Sequence, residues 1–376
     1  MKVLVIDHYA LEPLNQVLYR RLSESGRIRT RIIIPAVWND SYRLREGAAV
    51  RYSADCEVVP LPVIFPTRTH RLIYRGLAQQ VKEFSPDVLY MNSEPENFQT
   101  YECARILRRF PGVRLVFSTW RNIDYSDGRY PYKFSFLHHW IEKQVLAVAA
   151  HGIAFNDSAV PIFKKLGFDR MSVIPPEIDT GLFSPGTREA DRPFTIGYAG
   201  RIEEQKGIDV LIRAVAGMSP DVRLRIVGSG SASQELRKIG EEAGIAARTD
   251  WVPAVMRPGM PAEYQRMDAL VLPSLTGRYW KEQFGRVLME AMACGVPVVG
   301  SDSGEIPEVV GGAGMIVHEG DSEGLRRALE RLKADASLRR DLIDRGLRRV
   351  RERHALERVV PMYRNLLLHM KEGPAL

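Results

Sequence analysis

The segment from Lys281 to Val310, KEQFGRVLMEAMACGVPVVGSDSGEIPEVV, is largely apolar but carries two glutamates, Glu282 and Glu290, eight residues apart. The run between Gly285 and Gly295 predicts a short helix, because glycine commonly terminates helices. The apolar stretch VPVVGSD after it predicts a buried strand. Glu282 is therefore expected in the loop before the helix, and Glu290 more than one turn inside it. A succession of loop, helix and strand is typical of parallel α/β domains.

The same alternation of strands and helices extends outward over the whole chain in two successive halves. The first half opens on the strand KVLVIDH, and the second restarts with FTIGYAG after a linker rich in Pro, Gly and charge, residues 176–193. Strands joined by helical crossovers form parallel sheets. We therefore predict an α/β protein of two Rossmann-like, doubly wound domains facing a deep cleft. The domains are residues 1–184 and 185–354, and a last helix, about 355–376, packs back on the first.

Composition narrows the class of protein further. The 376 residues are 45% hydrophobic and 26% charged, as in globular proteins, and no apolar run approaches the roughly 20 residues of a membrane span. The chain starts directly on a strand pattern, which differs from a signal peptide. Three scattered cysteines, Cys56, Cys103 and Cys294, favour a reducing, cytoplasmic location.

The charge distribution argues against a nucleic-acid partner. The net charge is +7, and residues 1–190 hold 25 Lys and Arg against 20 Asp and Glu. Nucleic-acid binders concentrate basic and aromatic residues far more strongly. Solvated helix faces, an anionic substrate or peripheral contact with the anionic inner face of a membrane each fit this bias.

The loop GYAGRIEEQKG, Gly197–Gly207, follows a predicted strand and leads into a helix. After Gly200, two cations, Arg201 and Lys206, stand at the mouth of this loop, where arginine can grip phosphate oxygens in bidentate fashion and lysine acts as a point charge. The pair suits a diphosphate. The alternative is that both are exposed and pair locally with Glu203 and Glu204.

The helix start in the opening segment suggests a second phosphate contact. Free backbone N–H groups near residues 284–287 can hold phosphate oxygens, and a carboxylate on each side can accept hydrogen bonds from hydroxyls. That layout fits a sugar nucleotide, with one glutamate for the ribose and one for the sugar. The alternative is an ordinary loop residue, Glu282, and a surface pair between Arg286 and Glu290, which are four residues apart on the helix.

At this point the chain resembles the retaining glycosyltransferases of family 4. EQFGRVLMEAMACGVPVV is similar to their E-x7-E motif, YAGRIEEQKGIDVLIRA to the first strand, loop and helix of their donor domain, and MSVIPPEIDTGLFSP to their interdomain segment. The resemblance covers about residues 170–335. It implies the GT-B fold, with an acceptor-binding first domain and a second domain that binds the nucleotide sugar.

The resemblance also implies roles for single residues. Arg201 and Lys206 would hold and stabilise the leaving diphosphate, Glu282 would contact the transferred sugar, and Glu290 would bind the ribose. The phosphates and the sugar would be cradled by Gly200 and by the backbone of Gln283, Phe284, Gly285, Arg286 and Val287. No metal or other cofactor is expected beyond the donor substrate, a UDP- or GDP-sugar, because the chain lacks an Asp-x-Asp pair.

The acceptor side departs from the family pattern. DHYALEP replaces a glycine pair in the first loop, and FSTWRNID stands where many members carry a histidine. The candidate acceptor-side residues are His8, Glu94, Glu96, Trp120 and Arg121. Each is also interpretable as a structural residue.

The sequence-based hypothesis is a retaining glycosyltransferase for glycan or glycolipid biosynthesis, acting on a sugar or lipid-linked acceptor. Another GT-B enzyme, such as a sugar-nucleotide epimerase or a sugar phosphorylase, would use the same phosphate and sugar contacts. A non-catalytic nucleotide-sugar binder is the third hypothesis, since fold alone does not establish activity.

Overall fold

The computed structural model describes residues 1–39, 44–125, 130–187 and 192–372. They form two compact units, the first comprising Met1–Pro176 and the residues from Val359 onward, and the second Glu177–Arg358. Residues 188–191 of the predicted linker, 176–193, lie outside the described ranges. Residues 373–376 of the predicted C-terminal helix also lie outside them.

The first unit contains an eight-stranded sheet in the order β12-β11-β10-β9-β1-β2-β6-β5. Three adjacent strands, β10, β9 and β1, are nearly inaccessible to solvent, and they line a core closed by helices. The strands are β1 Lys2–Ile6, β2 Arg29–Pro35, β5 Val50–Ser53, β6 Cys56–Leu61, β9 Val88–Met91, β10 Arg114–Thr119, β11 Ala149–Ala154 and β12 Met171–Val173, with the hairpins β3 Val37–Asn39 and β4 Leu44–Glu46, and β7 Val63–Ile64 and β8 Ile73–Tyr74. The helices are α1 Val17–Ser23, α2 Leu77–Phe84, α3 Phe98–Leu107, α4 Ser135–Leu146 and α5 Ala159–Lys165.

The second unit contains a six-stranded parallel sheet in the order β15-β14-β13-β16-β17-β18, which is the order of a classical dinucleotide-binding sheet. Its strands are β13 Thr195–Ala199, β14 Arg223–Val227, β15 Thr249–Val252, β16 Ala269–Leu272, β17 Val298–Ser301 and β18 Met315–Val317. Its helices are α6 Ile208–Ala216, α7 Ser233–Glu242, α8 Met260–Gln265, α9 Arg286–Ala293, α10 Ile306–Val310, α11 Ser322–Ala334 and α12 Ala336–Arg353; α13, Leu356–Glu372, runs on into the first unit.

The two predicted doubly wound α/β domains are confirmed, with one difference in the direction of a strand. Strand β5 is antiparallel to β6, so the first sheet is not wholly parallel. Helix α2 begins at Leu77, directly after Gly76, which adopts a left-handed φ of 82°. Helices α12 and α13 are separated at His354 and Ala355, close to the predicted start of the last helix at about residue 355.

The chain passes between the units at Pro176 and Arg358, whereas the sequence suggested boundaries at 184 and 354. The cause is a short pairing within the second unit: the amide of Ile178 donates to the carbonyl of His354, and the amide of Leu356 donates to that of Ile178. Beyond this crossing, Tyr363 of α13 is buried with its hydroxyl 3.4 Å from that of Tyr90 on β9. Among the described helices, none is long and apolar enough to cross a membrane.

Two loops of the second unit meet where the strand order reverses, between β13 and β16. The amide of Leu275 donates to the carbonyl of Gln205 at 2.9 Å. Gly207 has a φ of +62°, and a Cβ there would lie 2.1 Å from the carbonyl oxygen of Pro273. Only glycine allows this approach, so Gly207 fixes the spacing of the two loops.

Replacing Gly207 with alanine should destabilise the second unit more than the same change at Gly244. Gly244 has a similar φ of +71° but has no neighbour within 4 Å of the position of a Cβ. Gly244→Ala should cost about 1 kcal/mol for the left-handed backbone. Gly207→Ala should cost about 2 kcal/mol more, because the loops must move apart. Calorimetric unfolding of both variants measures this difference, and equal losses would show that the loop contact is unimportant.

Candidate active site

An ion pair joins the two loops that meet at the carboxyl ends of β13 and β16. Nζ of Lys206 lies 2.7 Å from Oε2 of Glu282, and the side chains are only 12% and 11% exposed. Ser274, just after β16, donates its hydroxyl to the same carboxylate oxygen at 2.8 Å. Ligands of open α/β sheets bind at such a reversal of strand order. The pair therefore occupies the position expected of a binding site in the second unit.

An aromatic ring completes the surroundings of the lysine. Nζ of Lys206 lies 4.7 Å from the ring centroid of Trp280, a cation–π distance. The turn that carries Trp280 is closed by a 2.7 Å hydrogen bond from the amide of Gly277 to the carbonyl of Trp280. The ammonium group is thus held between a carboxylate and an indole face.

The arginine of the first loop has a different environment. The Arg201 side chain is 60% exposed and its guanidinium lies 3.0 Å from Glu203, the local pair that the sequence offered as the alternative. Its backbone is fixed by Tyr198, whose hydroxyl donates to the Arg201 carbonyl at 2.6 Å. Burial, followed by the charge of Glu282, raises the pKa of Tyr198, so its hydroxyl keeps its proton. Arg201 is therefore anchored by its backbone while its head group remains accessible.

The second glutamate is held by residues that sequence reasoning did not identify. Glu290 on α9 is 6% exposed. Its carboxylate accepts from Nε of Arg257 at 3.0 Å and from the hydroxyl of Tyr264 at 2.8 Å. Burial and the charge of Glu290 raise the pKa of Tyr264, so this hydroxyl acts as a donor. No sequence spacing signals these partners, because they lie 33 and 26 positions from Glu290.

Helix α9 starts where the sequence predicted. Gly285 precedes it with a φ of 79°, and a Cβ there would lie 2.7 Å from the Leu272 side chain on β16. Phe284 is buried with its ring 5.6 Å from that of His354, so only its backbone is suited to bind a ligand. Gln283 is exposed, whereas Arg286 and Val287 are partly buried.

The predicted acceptor-side residues all follow three adjacent strands of the first sheet: β1, β9 and β10. Glu94 accepts from the Thr119 hydroxyl and, at 2.7 Å, from the amide of Trp120. Arg121 lies against Glu96, and its Nη1 is 2.6 Å from Glu142 of α4. The structure therefore joins Glu94 with Trp120 and Glu96 with Arg121. The contribution of Glu142 was not foreseen.

Among the residues that the structure describes, this cluster contains more buried carboxylates than cations. Burial raises the pKa of Glu96 to about 8, although the Arg121 guanidinium opposes the shift. Burial also raises the pKa of Glu94. Burial would lower the pKa of Arg121, but the charges of Glu96, Glu142 and Glu94 outweigh it and raise that pKa. Arg121 stays charged, and Glu96 holds a proton near neutral pH.

His8 does not join this cluster. It is 4% exposed, with its ring 3.9 Å from that of Tyr9 and 5.4 Å from that of Trp38. Within the described part of the chain, neither ring nitrogen has a hydrogen-bond partner. Burial lowers the pKa of His8 to about 3, so the ring is neutral. No group of three metal-binding side chains is found among the described residues.

Most of the second unit matches a family model. Residues 182–349 match the model of glycosyl transferases group 1. This segment contains Arg201, Lys206, Glu282 and Glu290.

Curated glycosyltransferases are similar in sequence to this chain over part of their length. The D-inositol 3-phosphate glycosyltransferase of Mycobacterium sp. (strain KMS) is 31% identical over 192 residues, 46% of this chain and 42% of the relative. That of Pseudarthrobacter chlorophenolicus is 32% identical over 221 residues, 54% of this chain and 51% of the relative. The chain thus spans about half the length of the curated relatives it matches.

Solved structures share the fold along nearly the whole chain. Sucrose-phosphate synthase from Thermosynechococcus elongatus has a TM-score of 0.72 at 20% identity and covers 98% of this chain and 100% of its own. Alr3699/HepE of Anabaena, solved in complex with UDP, has a TM-score of 0.73 at 19% identity with the same coverage. The protein has the GT-B fold, as the resemblance implied.

The raised pKa of Glu96 predicts how stability depends on pH. A carboxyl that binds its proton more tightly when folded stabilises the protein below the unfolded pKa, and this contribution is lost as pH rises through the folded pKa. Between about pH 4.5 and about pH 8, Glu96 should therefore lower the unfolding temperature progressively. Glu96→Gln, which keeps an acceptor for Arg121, should flatten this decline.

Melting curves recorded across that pH range measure the effect. Glu83→Gln makes the same chemical change at an exposed position of α2 and should keep the wild-type decline. Identical pH dependence of Glu96→Gln and the wild type would mean that Glu96 ionises in the folded protein as it does in the unfolded chain.

Proposed function

We propose that the protein is a retaining glycosyltransferase that moves a sugar from a nucleoside-diphosphate sugar to an acceptor hydroxyl. The observation that carries this proposal is the Lys206–Glu282 pair, which lies at the strand-order reversal of a sheet ordered like a dinucleotide-binding sheet. The match of residues 182–349 to glycosyl transferases group 1 supports it.

The leaving diphosphate is stabilised by fixed positive charge. When the bond from the sugar to the diphosphate breaks, negative charge grows on the phosphate oxygens. Lys206, the accessible head group of Arg201 and the N–H groups at the start of α9, near Gly285 to Val287, oppose that charge. Gly200 and Gln283, both exposed, lie on the same loops. These groups need no metal ion to act.

Glu282 binds the hydroxyls of the transferred sugar. Its carboxylate is already oriented by Ser274 and Lys206, so a sugar hydroxyl that donates to it meets an acceptor fixed in advance. Such orientation reduces the entropy lost on binding. Retention of configuration requires the acceptor hydroxyl to approach the face of the sugar that the diphosphate leaves.

Glu290 binds the ribose of the nucleotide. A carboxylate offers about four lone-pair positions, and Arg257 and Tyr264 take two of them. The remainder suffices for a ribose diol. A UDP- or GDP-sugar is the proposed donor, and the complex of the structurally similar Alr3699/HepE with UDP and glucose supports the former. Residues near His8, Glu94 and Trp120 would shape the sugar or lipid-linked acceptor site.

Removing the ion pair should abolish sugar transfer without unfolding the protein. Glu282→Gln should lower turnover about 100- to 1000-fold, the range found for electrostatic groups in active sites. Lys206→Met alone leaves a buried carboxylate unpaired and destabilises the fold. The double variant Lys206→Met/Glu282→Gln removes both charges and tests activity in a folded protein.

Release of nucleoside diphosphate measures this activity, and the anomeric configuration of the product follows from NMR. A thermal-shift screen with UDP, GDP, ADP and their sugars first selects the donor. Lys238→Met, an exposed lysine of α7, is the control and should retain full activity. Full activity in the double variant, or an inverted product, would contradict the proposal.

Glu290→Gln should weaken binding of the nucleoside diphosphate about tenfold but leave inorganic pyrophosphate unaffected. The reason is that the glutamine loses an acceptor for the ribose diol, whereas the phosphate contacts are made by other residues. Isothermal calorimetry with both ligands measures the two affinities. Tyr264→Phe removes one partner of Glu290 but keeps the carboxylate, and should have the smaller effect. A parallel loss for both ligands in Glu290→Gln would place Glu290 at the phosphates instead.

A further inference from the structure

A surface pocket of about 300 Å³ lies in the first unit, between the start of α2 and the second half of α3. Its apolar lining includes Leu77 and Ile106, both largely buried. Three arginines, Arg75, Arg105 and Arg109, also line it. The volume is at the lower end of the range for small-molecule sites.

The charged lining carries a positive excess. Glu102 is the one carboxylate in the lining, and it is engaged in two parallel hydrogen bonds from Arg105, at 3.0 and 2.8 Å. Arg75 and Arg109 have no carboxylate partner among the described residues. With Arg105 paired to Glu102, the guanidinium groups of Arg75 and Arg109 leave an excess of positive charge at the pocket that an anion would balance. The arrangement suits a ligand that brings negative charge.

The backbone of the pocket adds to this positive field. Gly76, Leu77 and Ala78 line it, and they form the start of α2. This helix start has no side-chain cap, so its first N–H groups remain available to an anion. Tyr74 also contributes to the lining, but its side chain is buried in the hydrophobic core of the first unit.

We propose that this pocket binds the phosphate group of an anionic ligand. Arginine binds phosphate oxygens through two parallel N–H donors, and Arg75 and Arg109 are exposed and able to reorient toward it. The site is distinct from the residues assigned to sugar transfer, so it goes beyond the proposed function. The phosphate belongs to a soluble phosphorylated compound or to a phospholipid headgroup.

Exposed aromatic side chains near the pocket favour a phospholipid headgroup as one source of the phosphate. On the neighbouring helix α4, Phe136 is 75% exposed and Trp140 46% exposed. The ring of Trp140 lies 5.2 Å from that of Tyr101, one helical turn before Arg105 on α3. Exposed aromatic rings next to arginines are typical of surfaces that bind anionic lipid.

The double variant Arg75→Gln/Arg109→Gln tests the pocket directly, because both arginines are exposed and the protein should fold normally. The probes are inorganic phosphate, glycerol 3-phosphate and vesicles of phosphatidylcholine with or without phosphatidylglycerol. Calorimetry measures the first two affinities, and co-sedimentation measures the third. The double variant should bind at least about ten times more weakly to whichever probe the wild type binds.

A matched control separates the pocket from general surface charge. Arg21→Gln/Arg27→Gln removes two exposed arginines of the same unit that do not line the pocket, and it should bind like the wild type. Wild-type binding to the soluble probes identifies a soluble ligand, and binding only to phosphatidylglycerol vesicles identifies a lipid headgroup. Equal binding by both double variants, or no binding of any probe by the wild type, overturns the proposal. Donor binding and transfer activity are measured separately, so failure here leaves the proposed function untouched.

Discussion

The ion pair between Lys206 and Glu282 is the contact on which the candidate site depends. Its members come from separate loops, 76 positions apart in the chain. Both are nearly buried, and removal of one partner from a buried pair typically costs about 3–5 kcal/mol because the other charge is left unpaired. The close approach of Gly207 to Pro273 brings the loops near enough for the pair to form. Sheet order, loop spacing and charge thus support one another.

The two units differ in how their buried charges are balanced. In the second unit, Lys206 is matched by Glu282, and Arg257 is matched by Glu290. In the described part of the first unit, Arg121 is the one cation placed among Glu94, Glu96 and Glu142. Because one cation cannot compensate three buried carboxylates, a proton on Glu96 reduces the imbalance. The first cluster therefore responds to pH near neutrality, and its position at the ends of β9 and β10 links that response to the proposed acceptor side.

The sequence predicted those features that depend on local pattern. Buried strands, the start of α9 and the separation of Glu282 from Glu290 follow from apolar runs and from glycine positions. The partners of these residues could not be predicted. Arg257 and Tyr264 reach Glu290, and Glu142 reaches Arg121, only through the packing of strands and helices that are distant in the chain. The antiparallel direction of β5 could not be predicted either, because an edge strand has the same local sequence pattern in both directions. Roles in binding rest on the resemblance and on chemistry rather than on these patterns.

The pairing of Lys206 with Glu282 also bears on what the site accepts. A bare phosphate attracts the lysine but offers no hydrogen-bond donor to the glutamate. The glutamate would then lose its buried counter-charge. A free sugar donates to the glutamate but offers no charge to the lysine. A sugar joined to a diphosphate supplies hydroxyl donors to Glu282 and negative oxygens to Lys206 together, so neither buried group is left uncompensated. In the proposed function, the ion pair therefore favours a ligand with both parts over either part alone, because separating two buried charges is costly.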